Sequence, residues 1–155
     1  MEASRRTVIA GGAVLTALLA TRAEAQAGGT KSAGMEVIRI FTDADGVSHI
    51  QRVPVVGLPK PLPVVGVRAN AIAMGVENWH HAPQKLFTIN TAGDIVGEVS
   101  DGSKVPIGKG DLVYLEDLTG KGHVTHLLTD VANLFILMPP DFDFLEWAGG
   151  TPQPV

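Results

Sequence analysis

Five histidines and no cysteine set the chemistry open to this chain. His80 and His81 stand side by side in NWHHAPQKLFTINTAGDIVGEV, and His123 and His126 follow in EDLTGKGHVTH. Neutral imidazole binds zinc, copper, iron or nickel, and it also changes charge near neutral pH. Such residues therefore serve metal sites and proton transfer alike. Without cysteine, disulfides, thiolate metal sites and thiol nucleophiles are excluded. Ser100 and Ser103 sit in an ordinary Asp-Gly turn, so no Ser-His-Asp arrangement can be argued from them. Gly93, Gly102, Gly108, Gly110, Gly120 and Gly122 are turn residues, because no strand-to-helix context makes them a phosphate loop.

Alternation sorts the remaining candidates. In an extended chain residues 80, 82, 84 and 86 share one face, which groups His80 with Ala82 and Leu86. His81 should then point away from His80, and His126, at an odd offset from His123, away from His123. His49 has no motif around it, so these three read as surface or packing histidines. Glu116-Asp117 reads as a solvated hairpin end, with an acid–base pair at a cavity mouth as the alternative. Trp79 and Trp147 carry a donor to satisfy and suit a core or rim position.

The elements that must position these residues are short strands. MEVIRIFTD and VSHIQRVPVV flank Asp43-Ala44-Asp45-Gly46, a hairpin turn. GLPKPLP, with three prolines, breaks regular structure. VVGVRANAIAMGV follows, then strands over 85–91, 95–100, 104–107, 112–116 and 124–128, and the apolar NLFILM. This spacing predicts an all-β sandwich or small barrel. PPDFDFLEWAGG predicts a short helical turn from about Asp141, packed through Phe142, Leu145 and Trp147.

At the N-terminus, SRRTVIAGGAVLTALLATRAEAQA has Arg5 and Arg6, a weakly apolar stretch and small residues before a cleavage site between Ala25 and Ala27. The stretch is too short for a stable span of about 20 apolar residues. The paired arginines resemble a twin-arginine export signal, although Val8 stands where that signal usually has Phe. The chain then divides into an export signal over 1–27, strands and a Pro-rich linker over 28–63, and a barrel over 64–155. A periplasmic or secreted location follows. Cleavage leaves 9 basic and 14 acidic residues, a net charge of −5 with no basic run. A nucleic-acid partner is excluded on that ground, and a membrane partner is not expected after cleavage.

Over most of 64–138 the chain resembles the cupin family. Anchored on Gly93, the first cupin motif (Gly, five residues, His-x-His, three or four residues, Glu, six residues, Gly) places His80 at the first His, Ala82 at the second and Leu86 at the Glu. The second motif (Pro-x-Gly-x-x-His, three residues, Asn) is read as Leu118, Gly120, His123 and Leu127. NWHHAP, VSDG, GDLVYLED and TGKGH are similar to a branch of small cupins with Trp-His-x-Ala-Pro and Glu-Asp-x-x-Gly-x-Gly-His. The resemblance implies a single-domain, jelly-roll-like cupin β-barrel with a short C-terminal helical turn. It implies His80 and His123 meeting inside, as metal ligands or as a catalytic pair. Family cupins hold a divalent metal through three His and one Glu. Here two of those positions remain, so a divalent transition metal would bind weakly at His80 and His123. Trp79, Ala82, Leu86 and Tyr114 are expected to line the substrate pocket. The expected partners are a small-molecule ligand and, through an exposed strand edge within 35–56, a second copy in a homodimer. A barrel without catalysis, used for binding or assembly, is the other reading.

Overall fold

The computed structural model describes residues 34–155. The expected export signal lies outside them. Alternating apolar residues form β1 (Met35–Thr42) and β2 (Ser48–Val55), closed by the Asp43–Gly46 turn, where the Asp43 carboxylate accepts from the backbone of Asp45 and Val47. The stretch after the prolines makes two strands, β3 (Gly66–Ile72) and β4 (Gly75–His80), broken at Ala73-Met74. β5 (Leu86–Ala92), β6 (Ile95–Val99), β7 (Lys104–Ile107), β8 (Leu112–Glu116), β9 (His123–Leu127), β10 (Val131–Leu137) and the short β11 (Gln153–Pro154) complete the set.

These strands build two facing sheets, the all-β sandwich-like arrangement expected. A seven-stranded sheet runs β11-β2-β1-β8-β5-β10-β3, and a four-stranded sheet runs β4-β9-β6-β7. They are separate sheets rather than one continuous barrel wall. The expected free edge at β1 is absent: β1 pairs with β2 on one side and, in parallel, with β8 on the other. Sequence alternation could not anticipate that long-range parallel pairing.

The larger sheet divides the interior. Ile38, Ile40, Leu86, Val113 and Leu115 face the smaller sheet and join Ile95, Val99, Val105, Ile107 and Leu127 in one cluster. Val37, Val53, Phe87 and Tyr114 face the other way and pack under the C-terminal segment with Phe142, Phe144 and Ala148. The helix α1 (Phe144–Ala148) starts later than expected. Asp143 caps it by accepting from the Glu146 N–H, and Gly149, at φ 69°, ends it. Phe144 and Ala148 are its buried residues, while Leu145 is exposed, because the helix begins after Asp143 rather than near Asp141.

Candidate functional site

β4 and β9 pair in antiparallel register, and His80 lies opposite His123 after a bulge that follows Glu77. The two rings stand 4.3 Å apart, centroid to centroid. The turn before β9 sets this approach. Gly122 has φ +75°, and a Cβ there would sit 2.0 Å from the His80 carbonyl oxygen, so the site needs glycine for both conformation and space. The same loop is tied down by its carbonyls: Gly122 accepts from the buried Ser48 hydroxyl at 2.6 Å, Thr119 from Thr42 at 2.9 Å, and Gly120 from the His81 Nε2–H at 2.6 Å.

Hydrogen bonding fixes the tautomer of each ring. His80 Nδ1 lies 2.7 Å from the Asn78 carbonyl, which can only accept, so Nδ1 carries the proton and Nε2 is left with its lone pair. His123 Nδ1 lies 2.5 Å from Asp117 Oδ2, which orients this ring in the same sense. Asp117 is fully buried and its Oδ1 has no hydrogen-bond partner among the described residues. It is therefore not a solvated hairpin end. Its neighbour Glu116 faces the opposite way and pairs with Arg39, 2.6 Å from Nε.

The pair opens on a cavity of about 320 Å³ between the sheets. Ala82, Leu86, Ile72 and Phe135 supply apolar wall, and Arg68, Asn70, Glu77, Thr88, Asn90, Thr125 and Asn133 supply polar groups. Of the expected lining residues, Ala82 and Leu86 are present. Trp79 instead lies on the outside, with Lys121 Nζ 3.9 Å from its ring centroid. Tyr114 is buried on the opposite face of the larger sheet, among Phe87, Phe142 and Phe144. Burial, then the nearby Glu116 carboxylate, pushes its phenol well above the ordinary tyrosine value. His81 lies just beyond the end of β4 and borders the cavity mouth, so strand alternation no longer governs it.

The other two histidines are engaged elsewhere. His126 Nε2 is 2.8 Å from Glu98, and His49 bridges Asp43 and Asp101 at 2.8 and 2.7 Å. The hydrogen bond to Asp43 raises the His49 pKa against its partial burial, and the same contact lowers that of Asp43.

The donor set does not suit a resident metal ion. Among the described residues no group of three or more His, Cys, Asp or Glu is placed to hold one. Ala82 and Leu86, beside the pair in the cavity wall, offer no donor atom. Two imidazoles alone make a weak, open site.

No protein-family model matches the chain, and no curated protein matches it in sequence. Among solved structures, a protein from Neisseria meningitidis is 12% identical with a TM-score of 0.41, over 76% of this chain and 95% of that one. A protein described as an ethanolamine utilization protein, from Salmonella typhimurium, is 14% identical with a TM-score of 0.32, over 71% of this chain and 100% of that one. A Rhizobium leguminosarum protein of unknown function is 15% identical with a TM-score of 0.27, over 71% and 88%. Similarity this low adds nothing to the reading of the site.

Proposed function

We propose that this is an exported protein that binds a small organic molecule between its sheets and moves a proton on it through His80 and His123. The observation that carries the reading is the 4.3 Å ring pair lining the cavity, one member backed by the buried Asp117 carboxylate. With one of the two rings protonated at Nε2, the pair offers one acid and one base. The base takes a proton from a ligand C–H or O–H, and the acid returns one to another atom, which is isomerase or lyase chemistry. If His123 is the base, its imidazolium forms beside Asp117, whose negative charge stabilises it. Oxygenation fits less well, since a two-His-one-carboxylate iron site would need the carboxylate that Leu86 replaces.

The test is NMR of the mature protein during titration with small acids and phenols. The His80 and His123 Nε2 resonances should move, and those of His126 and His49 should stay. Hits that bind equally to a His80→Ala/His123→Ala double variant would refute the reading. Calorimetry with zinc, nickel, copper and iron should give weak binding at most. Tight binding lost in both single variants would replace proton transfer with a metal centre.

The assembly reading is favoured by β3 and β4, which end the two sheets and, with the break between them, expose Val67, Met74 and Val76 by 62, 67 and 56%. A monomer mass by light scattering at micromolar concentration would remove it. Export is tested by Arg5→Lys with Arg6→Lys, which should leave precursor in the cytoplasm. Continued processing would point to general secretion.

A further inference from the structure

The wall that carries the two histidines has a second polar rung. In the register of the smaller sheet, Glu77 of β4 lies opposite Thr125 of β9, next to the His80–His123 pair, and Thr125 lies opposite Gly97 of β6. All five residues line the cavity. Glycine at 97 leaves the rung without a side chain at its third position. A Cβ there would meet Ile107, Val105 and Ile40 at 3.5, 3.6 and 3.7 Å, which is ordinary contact.

The unspent groups on this wall are acceptors. Asn78 and Asp117 take the Nδ1 side of the rings, so Nε2 is what each ring has left for a ligand. A ring without a proton there can only accept. Glu77 is half-buried, and among the described residues no arginine, lysine or histidine pairs with its carboxylate. Nor does it form a metal-ligand group with the two rings. A carboxylate drawn partly out of water keeps an unbalanced charge that acts more strongly than it would in water. The one Lys or Arg in the lining, Arg68, stands on the facing sheet with its guanidinium carbon 5.2 Å from the Phe135 ring centroid. It is exposed, so water and salt screen its charge. The rest of the lining is largely apolar: Ile40, Leu86, Ile95, Ile107 and Val113 are all buried.

We infer that the ligand is a small primary amine, its ammonium group on Glu77 and its compact body against the apolar lining. The assignment rests on the small-molecule reading above. An ammonium group donates three hydrogen bonds and accepts none, so it matches a wall of acceptors. The bond to Glu77 is charge-assisted and the strongest of them. The Thr125 hydroxyl and the unprotonated Nε2 are the neighbouring acceptors. At about 320 Å³ the cavity lies at the small end of the roughly 300–1,000 Å³ of ligand pockets, which suits one ring with a short arm. Anions are disfavoured, since Glu77 and the Asp117 carboxylate behind His123 both repel them.

The experiment compares benzylamine, benzyl alcohol and benzoate by calorimetry on the mature protein, Glu77→Gln and Gly97→Ala. The three probes share a ring and differ in the charge on its arm. Wild type should bind benzylamine about tenfold more tightly than benzyl alcohol, and benzoate more weakly than either. Glu77→Gln keeps the side chain's size and should bring amine and alcohol to equal affinity. Gly97→Ala narrows the cavity beside the rung and should weaken amine and alcohol alike. Equal binding of amine and alcohol to wild type, or an unchanged preference in Glu77→Gln, overturns the assignment. So does amine binding that Gly97→Ala leaves untouched, which would place the amine outside the cavity. If phenol moves the His80 and His123 resonances while benzylamine gains nothing over the alcohol, the amine assignment fails and the small-molecule reading stands. If no probe binds at millimolar concentration, both fail.

Discussion

The two sides of the larger sheet solve different problems with alternate residues of the same strands. Leu86 lines the cavity and Phe87 the C-terminal cluster, and Val113 and Tyr114 divide in the same way. On the C-terminal side aromatics fill the space: Phe87 and Tyr114 centroids lie 4.8 Å apart, and Tyr114 and Phe144 stack at 4.5 Å. On the other side the facing residues are smaller or polar, and about 320 Å³ stays open. A filled half holds the fold while a hollow half leaves room for a ligand. The comparison implies that stability and binding can be changed separately.

The largest effect should come from the filled side. Phe144→Ala removes a ring with 1% exposure, and the expected cost is about 3–5 kcal/mol by denaturant unfolding. Phe135→Ala, which widens a space already open, should cost less than half of that. Equal costs would break the comparison. Next comes the buried His123–Asp117 contact. His123→Ala strands the fully buried Asp117 without its partner and should cost about 3 kcal/mol, whereas His80→Ala should cost under about 1 kcal/mol. Similar values for the two would show that Asp117 does not depend on His123.

Tyr114→Phe sharpens the separation. The hydroxyl is buried without a hydrogen bond, so its removal should change stability by less than about 1 kcal/mol, toward greater stability, and leave ligand affinity unchanged. A loss of binding would put Tyr114 in the site after all. The smallest effect lies outside both halves, at His49. Its pKa is raised by Asp43 and then by Asp101, so the charged ring's contribution is lost as pH rises through that raised value. The Asp43 pKa is lowered, so its contribution is lost as pH falls through that lowered value. The triad is therefore fully effective between the ordinary carboxylate range, about 4, and the ordinary histidine value, about 6.5. Thermal melts of His49→Gln should show a shallower decline above that window than wild type. Identical slopes would remove the linkage.

The fold was legible where period and punctuation agreed. Asp43–Gly46, the proline segment and the strands after Lys85 all carried turn chemistry or alternation. His80, Ala82 and Leu86 do line the cavity, but not by alternation along one strand, since β4 ends at His80 and Leu86 opens β5 in the other sheet; the motif supplied His123. Tyr114 was misplaced for a physical reason: Val113-Tyr114-Leu115 is apolar on both faces, so the pattern carries no parity. Asp117 was read as a solvated hairpin end because it lies beyond the end of β8, where the loop 117–122 turns it back under His123. Its signal, a carboxylate six residues before a turn-flanked histidine, has meaning only once that loop closes. The polar part of the cavity wall was hidden for a similar reason. Asn70, Asn90 and Asn133 lie far apart in the chain, and only strand register unites them.

The two-sided wall also limits how such a molecule can diverge. Substituting every second residue of β3, β5 or β10 alters what the chamber accepts and leaves the opposite face untouched. Inserting or deleting one residue within β5 or β8 does the reverse of a mild change, since it exchanges the faces of everything downstream in that strand. Phe87 or Tyr114 would then enter the chamber, and Leu86 or Val113 would be left where an aromatic had filled the space. New specificities are thus reachable through point changes at constant strand length, and length variation is confined to the loops.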